Sequence, residues 1–133
     1  MTTVLATQAG SVPKRSGKVR DVYDLGDRLV LVATDRISAF DWILPTGIPE
    51  KGKILTAMSL FWFRFLGQTG QILSTELADM GPEFVRQPDV FGGRSIMVKR
   101  TEVFPVECVA RGYMAGSAWN EYRRSSTING IPI

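Results

Sequence analysis

The sequence has 133 residues, 44% of them hydrophobic and 22% charged, a globular mixture that excludes wholesale disorder and suits one domain or part of a larger one. Sixteen Lys and Arg against thirteen Asp and Glu leave a net charge of +3, too little to imply a nucleic-acid partner. The longest greasy stretch, Ile54 to Leu66, is broken by Thr56, Ser59 and Arg64, which excludes a membrane-spanning helix.

The first residues, MTTVLATQAGSVPKR, lack a basic region followed by an apolar one and do not read as a signal peptide. Residues 1–13 are small or polar without a period and are expected to be a mobile lead-in. Lys18 to Tyr23 is β-prone, Asp24 to Asp27 is a turn signal, and Arg28 to Thr34 is a nearly continuous apolar run. Together they predict an antiparallel hairpin whose second strand is well buried.

Asp35 to Lys53 is punctuated by Pro45, Gly47, Pro49 and Gly52 and reads as an irregular connection. Ile54, Leu55, Met58, Phe61, Trp62, Phe65 and Leu66 recur at three- and four-residue spacing. That spacing predicts an amphipathic helix ending near Gly67, its aromatic stripe packed into the core. Ile72 to Thr75 is a short strand candidate, Gly81 to Gly93 reads as loop, and Arg94 to Arg100 and Val103 to Ala110 are two further strands. Ala118 to Arg124 predicts a helix with Ser117 as its N-cap. Asn129-Gly130 is a turn near the end of the chain.

Three segments concentrate chemistry. Gly17 precedes Lys18 and Arg20, which point the same way because side chains alternate faces along a strand. Two cations beside a glycine suit a polyphosphate, and an ordinary surface strand carries the same pattern. Asp35, Arg36, Ser38 and Asp41 follow the buried strand, where they can hold one another or a ligand. Arg111, Gly112, Gly116 and Ser117 precede the last helix and could form an anion site or a glycine-rich turn. Arg94, Lys99, Arg100 and Arg111 form a second basic group, either solvated charge or a pocket for phosphate or carboxylate. Cys108 reads as a small buried hydrophobe. The sequence has no histidine and this one cysteine, so a Cys/His zinc site, an intrachain disulfide framework and any histidine base are excluded.

Read together, GKVRDVYDLGDRLVLVATDRISAFDWILPTGIPEKGKILTAMSLFWF from Gly17 and VECVARGYMAGSAWNEY from Val106 resemble the SAICAR synthetase family of the purine pathway. The resemblance runs from about residue 14 to residue 133. It implies an ATP-dependent ligase joining L-aspartate to the carboxylate of carboxyaminoimidazole ribonucleotide, with Mg²⁺ required and ADP and phosphate released. The expected route phosphorylates the carboxylate, which the aspartate amine then attacks. It also implies an α+β fold in which a twisted antiparallel sheet with a packed helix resembles the N-lobe of a protein kinase.

On that resemblance Gly17, Lys18 and Arg20 map to the ATP phosphates, and Lys99, Arg100, Glu102 and Val103 to the edge of the adenine pocket. Asp35, Ser38 and Asp41 map to the loop lining the substrate side, and Arg111 and Ser117 to the element contacting the ribonucleotide. The family's chains are longer. Residues 14–112 are therefore expected to be the ATP-binding lobe and 113–133 the start of a second lobe, which carries the acidic Mg²⁺ ligands. No metal ligand is assigned within these residues, and the chain is expected to be an inactive N-terminal fragment of a cytoplasmic enzyme without nucleic-acid or membrane partners. The alternative is a nucleotide-binding module without catalysis.

Overall fold

The computed structural model describes residues 2–106, 108, 110 and 112–133. A first compact unit runs through Thr101 and a second spans Glu102–Ile133.

The first unit is built on a five-stranded antiparallel sheet. The strands are β1 (Lys14–Ser16), β2 (Arg20–Asp24), β3 (Arg28–Ala33), β6 (Ile72–Ser74) and β7 (Ser95–Lys99). Their spatial order is β1-β2-β3-β7-β6. The predicted hairpin is β2–β3, with Tyr23 opposite Val30 and Asp21 opposite Val32. Alternation sends Tyr23, Val30, Val32 and Met97 to one face, where they form the core with Ala9, Met80, Phe84 and Phe91. Tyr23, Phe84 and Phe91 meet edge-on, with ring centroids 4.9 to 5.9 Å apart. Leu31, Ala33, Ile96 and Val98 line a cavity with residues of the helix α1 (Lys51–Phe65). Both sides of β3 are thus covered, which explains its continuous apolar run.

Several sequence expectations are corrected by the structure. Residues 2–12 form no helix or strand, yet they are not a loose lead-in: Val4, Thr7 and Ala9 are buried. The segment from Gly81 to Gly93 carries the short helices α3 (Pro82–Val85) and α4 (Pro88–Phe91), preceded by α2 (Leu77–Met80). Their prolines stand in the first turn, where no amide partner is lost, and they deliver Met80, Phe84 and Phe91 to the core. The aromatic stripe of α1 is not core. The helix buries Gly52 and Thr56, while Ile54, Met58, Phe61, Trp62, Phe65 and Leu66 are exposed. Phe61, Trp62 and Phe65 pack on one another instead.

The connection from Asp35 to Lys53 is not wholly irregular. It contains the two-stranded ribbon β4 (Ser38–Ala39) and β5 (Trp42–Ile43), turned by Phe40 and Asp41, both at positive φ.

In the second unit, α5 (Ser117–Ser125) is followed by a ribbon of β8 (Thr127–Ile128) and β9 (Ile131–Pro132), with Asn129 and Gly130 at its turn. Gly116, not Ser117, occupies the N-cap position. Its φ of 62° and ψ of −132° fall where a residue with a Cβ is strained, and Ser117 is the first helical residue. The described residues between Val103 and Ala110 form no strand, and Cys108 is exposed.

Gly52 sits where α1 meets β3. A Cβ there would stand 2.2 Å from the Ala33 carbonyl oxygen and 2.5 Å from Arg94 Nη1. Gly52→Ala is therefore expected to lower stability by about 1–3 kcal/mol, through forced displacement of a packed backbone. Urea unfolding with an unchanged m-value checks this.

Candidate functional site

The site residues of the first unit gather around two turns and one buried ion pair. Gly17 to Val19 form the turn between β1 and β2, closed by the Gly17 amide donating to the Arg20 carbonyl at 2.7 Å. Arg20, not Lys18, begins the strand, so the alternation that would align the two cations does not reach Lys18. The Lys18 ammonium pairs instead with the Asp41 carboxylate at the tip of the β4–β5 ribbon. This contact draws the Asp41 carboxyl below the usual carboxylate range. Phe40, beside it, is 98% exposed. Arg20 lines the cavity of about 160 Å³ between the sheet and α1, together with Ala33, Thr56, Gln71 and Val98.

The turn also offers backbone donors. The amides of Lys18 and Val19 have no protein partner among the described residues. Adjacent free amides beside a lysine form a concavity that suits an oxyanion.

Asp35 does not line a substrate space as the sequence suggested. It and Arg94 are both 0% exposed, paired at 2.7 and 3.3 Å. Asp35 Oδ2 also accepts the Val4 amide at 2.8 Å, and Oδ1 the Gly52 amide at 2.9 Å. Its acceptor positions are filled by the fold. Burial pushes its carboxyl up, but the Arg94 guanidinium and the two amides more than offset this and hold it below the ordinary value. Arg94 therefore leaves the basic group in which the sequence had placed it.

Asp21 is a second buried carboxylate, bonded to Arg36 Nη2 at 2.8 Å and to the Thr7 hydroxyl at 2.7 Å. Burial raises it, and hydrogen bonds from Arg36, Thr7 and Ser16 outweigh that to leave it below the ordinary range.

Ser38 lies on β4 and is partly buried. Lys99 ends β7 opposite Arg28. Arg100 is taken by the β2–β3 turn: its Nη1 stands 2.7 Å from both Asp24 carboxylate oxygens and 3.0 Å from the Gly26 carbonyl. Glu102 and Val103 are exposed residues of the second unit. In that unit Ser117 lines an open hollow of about 550 Å³ with Gly112, Tyr113, Met114, Glu121 and Asn129. Glu121 braces it by accepting the Gly130 amide and the Thr127 hydroxyl, each at 3.0 Å. Arg111 lies outside the described residues.

Sequence reasoning missed Arg36, Arg94 and Asp21 as organising residues. The cluster of Asp35 and Arg36 after β3 was the available signal. It could not show that each would pair with a partner elsewhere in the chain.

The mixed helix and antiparallel-sheet architecture is that of solved SAICAR synthases. A structure titled SAICAR synthase superposes with a TM-score of 0.88 at 36% identity, covering 98% of this chain and 48% of that one. A second, SAICAR-synthase from Saccharomyces cerevisiae complexed with SAICAR, gives 0.77 at 36% identity over 99% of this chain and 47% of that one. The SAICAR synthetase family model matches residues 14–131; the chain belongs to the SAICAR synthetase family. The phosphoribosylaminoimidazole-succinocarboxamide synthase of Syntrophobacter fumaroxidans is 49% identical over 119 residues, 88% of this chain and 40% of that protein. The chain thus spans less than half the length of these relatives.

The two buried carboxylates contribute to the acid response. Unfolded carboxyls titrate near pH 3.9, and Asp21 and Asp35 titrate lower when folded. Their contribution is therefore full above about pH 5 and is lost as pH falls through the folded values. Asp35→Asn is expected to cost about 3–5 kcal/mol at neutral pH by leaving the Arg94 charge buried without its partner. It should also flatten the fall in stability below about pH 4. Urea unfolding of both proteins across pH 2–7 checks both statements.

Proposed function

We propose that the polypeptide carrying these residues is an ATP-dependent ligase that joins L-aspartate to the carboxylate of carboxyaminoimidazole ribonucleotide. What carries this reading is the family match over residues 14–131, a span that holds both the Gly17–Arg20 turn and the start of α5.

A carboxylate is a poor acyl donor. Transfer of the γ-phosphoryl group of ATP to one of its oxygens releases ADP and gives the acyl carbon a leaving group. The aspartate amine then attacks that carbon. The C–N bond forms, phosphate departs with the former carboxylate oxygen, and the nitrogen loses its proton. The protein's task is to hold anions in line and balance their charge, which requires no histidine.

In this reading Lys18, Arg20 and the free amides of Lys18 and Val19 receive the ATP phosphates, the Lys18–Asp41 pair opening as they arrive. Ser38 and Asp41 serve the substrate side, Lys99, Glu102 and Val103 the adenine edge, and Arg111 and Ser117 the ribonucleotide. Arg100 stays with Asp24. We liken the first unit to a kinase N-lobe on the strength of its hairpin turn beside a cationic side chain.

Mg²⁺ prefers a shell of oxygen ligands. Among the described residues no three Asp, Glu, Cys or His side chains lie together. We assign its ligands to the part of the relatives that this chain does not span. The setting is cytoplasmic in this reading. No helix among the described residues is long and apolar enough to cross a membrane.

The test is formation of ADP and succinocarboxamide from ATP, Mg²⁺, aspartate and the carboxylated ribonucleotide. The 133-residue chain is assayed alone and joined to the C-terminal portion of the Syntrophobacter fumaroxidans relative. Product is expected only from the joined form; turnover by the chain alone would place the metal site within these residues. In the joined form, Lys18→Ala is expected to raise the apparent ATP constant about tenfold or more, the value of a charge-assisted contact to phosphate. Ser117→Ala should weaken the ribonucleotide and leave the ATP constant in place. Equal loss for both ligands would mean a folding role.

A further inference from the structure

We propose that Arg36 is a positioning residue that fixes the Gly17–Arg20 turn so that its free amides and Lys18 remain presented to an anion. The proposal rests on the reading of that turn as the phosphate site.

The Arg36 side chain is only 12% exposed. Its Nη2 donates to the Gly17 carbonyl at 2.9 Å and to Asp21 Oδ1 at 2.8 Å. Its Nε donates to the Lys18 carbonyl at 3.1 Å, and its Nη1 to the Leu5 carbonyl at 2.7 Å. The next carbonyl, Val19, accepts both the Thr34 amide at 3.1 Å and the Thr34 hydroxyl at 2.8 Å. Three consecutive carbonyls of the turn are therefore held by residues 34–36.

The consequence follows from peptide geometry. A trans peptide unit is planar, its C=O and N–H pointing in opposite directions. Holding the Gly17 carbonyl sets the direction of the Lys18 amide, and holding the Lys18 carbonyl sets that of the Val19 amide. Neither of those two amides has a protein partner among the described residues. Arg36 grips the oxygen end of both of these peptide units, and so turns both donors away from itself.

Arg36 is poorly suited to bind the anion directly. Four of its five N–H donors are engaged, and the buried Asp21 carboxylate already balances its charge. Lysine cannot replace it, because a single ammonium lacks the planar fork that reaches two successive carbonyls, Leu5 and Asp21 at once.

The experiment compares Arg36→Ala, Arg36→Lys, Lys18→Ala and the double variant Arg36→Ala/Lys18→Ala in the joined polypeptide described above. Arg36→Lys keeps a cation beside Asp21 and covers the case in which Arg36→Ala does not fold. The first readout is amide hydrogen exchange. The Gly17 amide, which closes the turn on the Arg20 carbonyl, is expected to exchange about tenfold faster or more in both Arg36 variants, with β3 and β7 unchanged, since each lost charge-assisted bond costs at least that factor. The second readout is affinity for ADP against adenosine, which lacks phosphate. ADP should weaken about tenfold with adenosine unchanged, and the double variant should bind ADP no more weakly than the worse single variant, because Arg36 acts through the turn.

Unchanged protection of the Gly17 amide overturns the proposal. So does a uniform loss of protection with ADP and adenosine weakened alike, which is a folding role, and so do additive effects in the double variant. If Lys18→Ala leaves ADP affinity intact, it is the phosphate reading that fails, and the exchange pattern alone then decides for or against Arg36 as the residue that holds the turn.

Discussion

The first unit depends on a carboxylate and a guanidinium shut away from water. Asp35 and Arg94 are both fully buried, and two such charges are tolerated when each satisfies the other and further hydrogen bonds fill most of their remaining positions. Asp35 meets that demand by taking amides from Val4 and Gly52 as well as Arg94. Arg94 adds a bond to the Ala33 carbonyl, leaving its Nε the one buried side-chain polar atom without a partner among the described residues. Four separate stretches of chain are thereby brought to one point: the N-terminal segment, the end of β3, the first turn of α1 and the start of β7. The glycine at position 52 is the steric corollary, since nothing larger fits between Arg94 and the Ala33 carbonyl.

From that point the order passes outward. The residue after Asp35 is Arg36, whose direction is set by its buried neighbour on one side and by Asp21 on the other. Thr34, also buried, anchors Val19. The run Thr34-Asp35-Arg36 therefore joins core to surface. Its middle residue faces inward to a structural ion pair, and the flanking residues hold the turn that carries Lys18. This explains how an exposed turn of four residues can have a defined shape without a large apolar anchor of its own.

Much of the architecture was legible in the sequence because it is written in local periodicity. The β2–β3 hairpin shows its alternation and its Asp-Leu-Gly-Asp turn, and α1 its three- and four-residue spacing. What periodicity reports is that one face of an element is apolar, not what covers it, and so the α1 stripe was legible as a helix and misread as core. The short helices between Leu77 and Phe91 were hidden by glycine and proline, which punctuate loops and first turns alike. The family was readable from two long motifs. The partners of Asp35, Arg36 and Arg100 were not, because each lies far along the chain: Asp35 and Arg94 are 59 residues apart, and Arg100 and Asp24 76. No window of sequence contains both ends of such a contact.

The strand order β1-β2-β3-β7-β6 has a kinetic consequence. β7 is the last strand of the sheet to leave the ribosome, yet it stands between β3 and β6. Until it arrives, β3 keeps an open edge, β6 has no neighbour to pair with, and Asp35 waits without its counter-charge. Both ladders and the ion pair stay incomplete through the synthesis of α2 to α4, and the arrival of β7 supplies the missing partner of each. Closure over so long a separation is slow compared with hairpin formation. The interval before it is when the open edge of β3 is exposed to strands of other nascent chains.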